Sequence, residues 1–247
     1  MKPLWDGHEE WIREHLEALE DEILKAYAAR VQFALNRDKV YLERDGSGMS
    51  YLESFLRDIE VACAKRGRYE VPEERPFSQG LPTPEERIHI VDHGLRVQDY
   101  VAINFTEQIM QRYIDFLPRV CRKRDDGDYG SSAWYDIDAL AMTSQRIHFG
   151  MYVAEWKFRQ NPDKYVPLIL AADSAGLEAA ITDEGVERRV RERVFRKADQ
   201  SAKATNLAVR AAIDPDVFTE FFMNTIVYLT KQVQVAYLLK LRSQLGQ

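Results

Sequence analysis

Arg146 and Lys157 stand eleven residues apart in the segment SQRIHFGMYVAEWKF, residues 144–158. At about 100° per residue, that spacing returns to nearly the same face of one helix. Gly150 and Val153 fall between them on the same stripe. Lys and Arg are costly to bury without a partner, so the pair points to the binding of an anionic ligand. A second stripe near the C-terminus, Met223, Val227, Thr230, Gln234 and Leu238, sets a hydroxyl and an amide one turn apart on an otherwise apolar face. A buried amide without partners costs about 1–3 kcal/mol. Taken alone, this stripe reads as a satisfied core pair.

Other polar clusters carry less. Arg13 lies beside the apolar line of its helix with Glu17 and Glu20 at i+4 and i+7, which reads as a solvated ion-pair face. Glu187 borders the stripe of Val186, Val190 and Val194 and reads as surface. In EERIHIVDH (85–93), Glu86, His89 and His93 have spacings that could hold a metal. A di-iron bundle needs the Glu-x-x-His pattern twice, and it occurs here once, so no metal and no other cofactor is expected. His148 reads as a packing or surface histidine rather than a general base. There is no Gly-rich phosphate loop, serine nucleophile elbow or catalytic cysteine motif.

The elements that must position these residues are helices, because 3–4 spacing recurs along the chain while period-2 alternation is almost absent. The pattern predicts a helix from His8 to about Leu35 through Ile12, Leu16, Leu19, Ile23 and Tyr27, and a second through Leu52, Phe55, Leu56, Ile59 and Cys63. The proline-rich stretch 68–84 predicts a loop ending in a helix start, with Thr83 as cap, Pro84 at the first position and Glu86 at the third. Further helices are expected over about 97–121, over 144–158 as one helix, and over about 184–210. Other starts fall at NPDKY (161–165), AADSAGLEA (171–179) and Asp214–Pro215. The expectation is one all-α domain over residues 1–247, a single-domain bundle of long helices.

Bulk properties agree. A net charge of −6 argues against a nucleic-acid partner. Cys63 and Cys121 are too few for a disulfide framework and read as reduced thiols. No apolar run is long enough to span a membrane, and MKPLWDGHEEWIREH lacks a signal-peptide pattern, so a cytoplasmic protein is expected.

Three stretches, LEDEILKAYAARVQF (19–33), GSSAWYDIDALAMTSQRIHFGMYVAEWKF (130–158) and YLTKQVQVAYLLKL (228–241), resemble the all-helical chorismate mutases of fungi and plants. The likeness continues through FLRDIEVACAKRGRYEVPEERPF (55–77) and ITDEGVERRVRERVFRKA (181–198), in order along nearly the whole chain. The resemblance implies a homodimer in which each subunit holds its own active site, with chorismate as a dianionic substrate. It implies that Arg13 and Arg146 bind carboxylates, that Lys157 reaches the ether oxygen and a carboxylate, and that Glu187 holds the hydroxyl. Thr230 matches a family threonine, Gln234 stands where fungal enzymes usually have Glu, and Asp183 where they have Asn. The family's effector site uses adjacent arginines and a Gly-Ser-...-Thr helix start. Here Arg68 follows Gly67, and Gly130 and Ser131 are followed by Trp134 in the threonine position. The same anion-holding residues would also suit another chorismate- or isochorismate-converting enzyme, or a catalytically silent regulatory protein of this fold.

Overall fold

Side-chain caps set most of the helix starts. Ser50 and Glu53 form a reciprocal capping box at 3.2 and 2.7 Å that opens the helix Tyr51–Lys65. Asp128, Asn161, Asp173 and Asp214 each accept from a backbone N–H in the first turn of the helix that follows. The computed structural model describes residue 5 and residues 7–43, 46, 48–85, 92–203 and 211–246.

Among these residues the helices are α1 (Glu9–Arg30), α2 (Arg37–Val40), α3 (Tyr51–Lys65), α4 (Thr106–Val120), α5 (Tyr129–His148), α6 (Gly150–Gln160), α7 (Pro162–Ala171), α8 (Ser174–Ile181), α9 (Glu184–Lys203), α10 (Pro215–Phe221), α11 (Tyr228–Lys240) and α12 (Arg242–Leu245). A π-helical segment, Phe222–Val227, joins α10 to α11. The described residues contain no strand, only one antiparallel bridge between Glu43 and Ser50. The all-α expectation holds, and none of the described helices is long and apolar enough to cross a membrane.

The bundle is organised around α5, which packs against α1, α3, α4 and α11, while α6 packs along α11. A buried Arg30–Asp136 ion pair ties α1 to α5. Asp136 also accepts from the hydroxyls of Tyr41 at 2.7 Å and Tyr113 at 2.6 Å. Hydrogen-bonding both carboxylate oxygens is what makes a fully buried charge tolerable.

Three element boundaries depart from the sequence expectation. The first helix stops at Arg30 rather than near Leu35, because the Arg30 side chain donates to the carbonyl oxygens of Phe33 and Ala34, and Leu35 N–H donates to Arg122 O. The helix expected from residue 97 begins at Thr106. Ahead of it, Tyr237 Oη accepts from the N–H groups of Arg96 and Val97, and Asn104 accepts from Thr106 N–H. Side chains here capture backbone donors that a helix would otherwise use.

The segment 144–158 is two helices in near continuity rather than one. Phe149 interrupts it, with Tyr152 N–H donating to Phe149 O at 3.0 Å, three residues back. Gly150 lies against α11 so closely that a Cβ on it would sit 2.8 Å from Thr230 O and 3.3 Å from a Val233 methyl. Only glycine admits that approach. The helix expected over 184–210 is seen as Glu184–Lys203, with 204–210 outside the described residues. Glu86 and His89 also lie outside them, and Thr83 and Pro84 lie in irregular structure.

Candidate active site

Arg146 comes from the last turn of α5 and is 4% exposed. One Nη donates to Thr230 Oγ1 at 3.3 Å, and its Nε has no partner among the described residues. Burial pulls its pKa down to about 10; Glu20 opposes the shift and Arg193 adds to it. Thr230 spends its proton on Ile226 O at 2.6 Å, which leaves an oxygen lone pair for Arg146. One turn further along α11, buried Gln234 donates to Thr230 O at 3.2 Å, while its Oε1 has no partner.

Lys157, on α6, donates to the carbonyl of Ile181 at the end of α8 at 2.5 Å. Burial, with repulsion from Lys164, lowers its pKa to about 8, while Asp183 and Glu187 pull the other way. Both cations therefore rest on neutral oxygens: a hydroxyl for Arg146, a main-chain carbonyl for Lys157.

Two neighbouring cations, Arg193 and Lys231, are paired with carboxylates, while Lys164 donates to Ala180 O at 2.6 Å. Arg193 on α9 grips buried Glu20 of α1 with two bonds, at 2.8 and 2.7 Å, and also reaches Glu17 at 3.2 Å. Glu187, half-buried, pairs with Lys231 at 2.9 Å. Among the described residues no group of His, Cys, Asp and Glu could hold a metal ion.

Hydrogen bonds join Arg146, Thr230 and Gln234 where α5 packs on α11, while Lys157 stands on α6, which packs along α11, with Asp183 and Glu187 acting on its charge. Asp183 is exposed, accepts from Val186 N–H at 2.9 Å to open α9, and feels the charge of Lys157. Arg13 does not join the cluster. Its side chain is 59% exposed and, among the described residues, pairs with Glu10 at 3.7 Å, two turns before Glu17 on α1.

The stripe reading of α1 needs a correction for Glu20, which is 2% exposed rather than part of a solvated face. Arg193 packs over it from α9, and Lys197 reaches it at 3.5 Å and Asp21 at 2.9 Å. Arg193, Lys231 and the Ile181 carbonyl were not legible as site groups. The one local signal for Arg193 was its i, i+4 spacing to Lys197 on the same helix face.

No protein-family profile matches the chain. It is 38% identical over 243 residues to chorismate mutase 1, chloroplastic, of Zea mays, covering 93% of this chain and 77% of that protein. It is 36% identical over 244 residues to the chorismate mutase of Schizosaccharomyces pombe, covering 92% of this chain and 94% of that one. The crystal structure of a Candida albicans chorismate mutase in complex with L-Trp superposes with a TM-score of 0.88 at 31% identity, covering 96% of this chain and 92% of that one. The chain belongs to the chorismate mutase family of plants and fungi. It is an isomerase.

At the other end of α5 lie Gly130, Ser131 and Trp134, which the sequence resemblance sets with Arg68 as an expected effector-site remnant. Ser131 N–H donates to the Asp128 cap at 3.3 Å, and Gly130 sits 3.7 Å, measured from its virtual Cβ, from the Tyr51 hydroxyl. Trp134 is 54% exposed and tilts against Phe55 of α3 at 6.4 Å between ring centroids. Arg68 is already engaged by Glu74 through two bonds, at 3.1 and 3.2 Å. It also acts electrostatically on Asp138, one turn after Trp134 on α5.

Proposed function

We propose that Arg146, Lys157, Thr230, Gln234 and Glu187 hold chorismate and carry it to prephenate. The observation that carries this reading is that buried Arg146 and partly buried Lys157 donate only to neutral oxygens, because chorismate brings two carboxylates. Each carboxylate gains a charge-assisted hydrogen bond in a site of low dielectric, so an acidic chain can bind a dianion.

The rearrangement is intramolecular. One C–O bond breaks as one C–C bond forms, and no proton, nucleophile or cofactor takes part. What the protein supplies is geometry and charge. Holding the compact chair-like conformer removes the entropic part of the barrier. The Lys157 ammonium and the Gln234 amide donate to the ether oxygen as negative charge develops on it. Arg146 anchors a carboxylate, and Glu187, steadied by Lys231, accepts from the substrate hydroxyl. Arg13 and Asp183 stand at the margin of this reading: both are exposed in this structure, and a carboxylate at the site would draw Arg13 from Glu10.

The same reading includes a homodimer, favoured by the large exposed indole of Trp134, since aromatic residues are enriched at interfaces. It also includes a cytoplasmic location, favoured by the two free cysteines; the relatives include both chloroplastic and cytosolic enzymes. Light scattering on the purified chain and cell fractionation test these two points.

Incubation of the purified protein with chorismate, followed by product identification, tests the activity. Prephenate is the expected product. A different product would assign another chorismate-converting reaction, and unchanged chorismate would make the chain a silent binding protein.

A further inference from the structure

Glu155 is a carboxylate with no solvent exposure, set on α6 two residues before Lys157. One oxygen accepts from Arg159 Nε at 2.6 Å and faces Arg96 Nε at 3.4 Å; the other accepts from the Tyr237 hydroxyl at 2.6 Å. Tyr237 lies on α11, three residues after Gln234, and is itself fully buried. Its oxygen also accepts from the N–H groups of Arg96 and Val97, at 3.2 and 3.4 Å. One carboxylate therefore joins α6, α11 and the segment before α4.

An apolar contact would hold the two helices together without the desolvation cost of a buried charge. Apolar contact, however, resists separation better than sliding, whereas a hydrogen bond is directional and short. The α6–α11 pair has two close attachments. At the start of α6, Gly150 abuts Thr230 and Val233; five residues later, about 7.5 Å along the axis, Glu155 binds Tyr237. One attachment leaves a helix free to pivot, and two fix both its angle and its axial position.

We propose that Glu155 is a positioning residue for the rearrangement. Through Tyr237 it sets the register of α6 on α11, and with it the placement of the Lys157 ammonium relative to the Gln234 amide. The inference rests on these two residues being the donors to the ether oxygen. A displacement near 1 Å at such a site can cost about 100-fold in rate.

The test is a double-mutant cycle of Tyr237→Phe with Lys157→Ala, assayed for prephenate formation. Tyr237→Phe removes one hydroxyl, and with it the acceptor of the Arg96 and Val97 N–H groups, and leaves the ring and the Arg159 and Arg96 side-chain contacts to Glu155 in place. Expected is a fall in kcat of about tenfold with KM within about twofold, because Arg146 on α5 still binds substrate. In the Lys157→Ala background, Tyr237→Phe should have almost no further effect, since the donor it positions is gone. Glu155→Gln, which keeps size but leaves one acceptor oxygen where Arg159 and Tyr237 use two, should show the same kcat loss and the same coupling, and replaces Tyr237→Phe in the cycle should that variant not fold. A kcat within twofold of wild type, or an equal fold loss with and without Lys157, would overturn the positioning role. Full activity in Lys157→Ala alone would instead overturn the assignment of the site.

Discussion

The Arg146 guanidinium donates to the Thr230 hydroxyl at 3.3 Å, across the contact between α5 and α11. The Thr230 hydroxyl in turn donates a hydrogen bond to Ile226 O, within the same run of helix. The arginine is thus held in place by a group that leaves its charge uncompensated. Burial without a counter-ion is costly in stability, and the cost is the price of a site ready for an anion.

Replacing either cation should cost far more activity than stability. Arg146→Ala and Lys157→Ala are each expected to lower turnover at least about 100-fold, in line with about 2.7–4 kcal/mol for a lost preorganised donor. Far-UV circular dichroism should remain that of a helical protein, since each cation donates only to a neutral oxygen and its removal relieves desolvation. Steady-state prephenate formation by the purified variants checks this, and near-normal rates would count against the site.

The pH profile separates the two ether-oxygen donors. An amide donates at any accessible pH, so kcat is expected to stay flat from about pH 5 to 8. Lys157 must be protonated to act, and its pKa in the free protein is lowered to about 8. Hence kcat/KM should fall as pH rises through that value. Gln234→Glu introduces a group that donates only when protonated, which should move the optimum to acid. Superimposable profiles for wild type and Gln234→Glu would refute the role given to Gln234.

His148 predicts an acid-sensitive fold. Its ring is fully buried, accepts from Phe105 N–H at 3.0 Å and is held at about 3, chiefly by burial. The unfolded chain takes up this proton near pH 6.5, so the stability contributed by neutral His148 is intact above that pH and is lost as pH falls toward 3. Between pH 7.5 and 4.5 the wild type should lose about 2–3 kcal/mol more than His148→Gln. Urea unfolding of both proteins across this range measures the difference.

Regulation by aromatic amino acids should be weak or absent. Arg68, which the sequence resemblance sets at the effector position, already holds Glu74, and Trp134 places an indole where that resemblance implies a threonine. Occupying that face with the chain's own aromatic ring would bias one state permanently, which is all an activator does. Hyperbolic kinetics unchanged by millimolar tryptophan or tyrosine are expected. Severalfold activation by tryptophan would show that the site works despite both substitutions.

The helix starts at Asn161, Asp173 and Asp214 and the face shared by Thr230 and Gln234 were legible in the sequence, because caps and 3.6-residue periodicity are local properties of the chain. The interruption at Phe149 was not, nor was the close approach of Gly150 to the Thr230 backbone eighty residues away. Nor was the division between buried and solvated charge. Arg13, Glu17 and Glu20 share one stripe, yet only Glu20 is buried, because Arg193 from a helix 173 positions along the chain closes over it. Glu155 and Arg159 would pass for an ordinary i, i+4 surface pair until Tyr237 and Arg96 are seen packed around them. A charged residue type says nothing of its depth; depth is set by which distant element packs over it, and tertiary structure alone decides that.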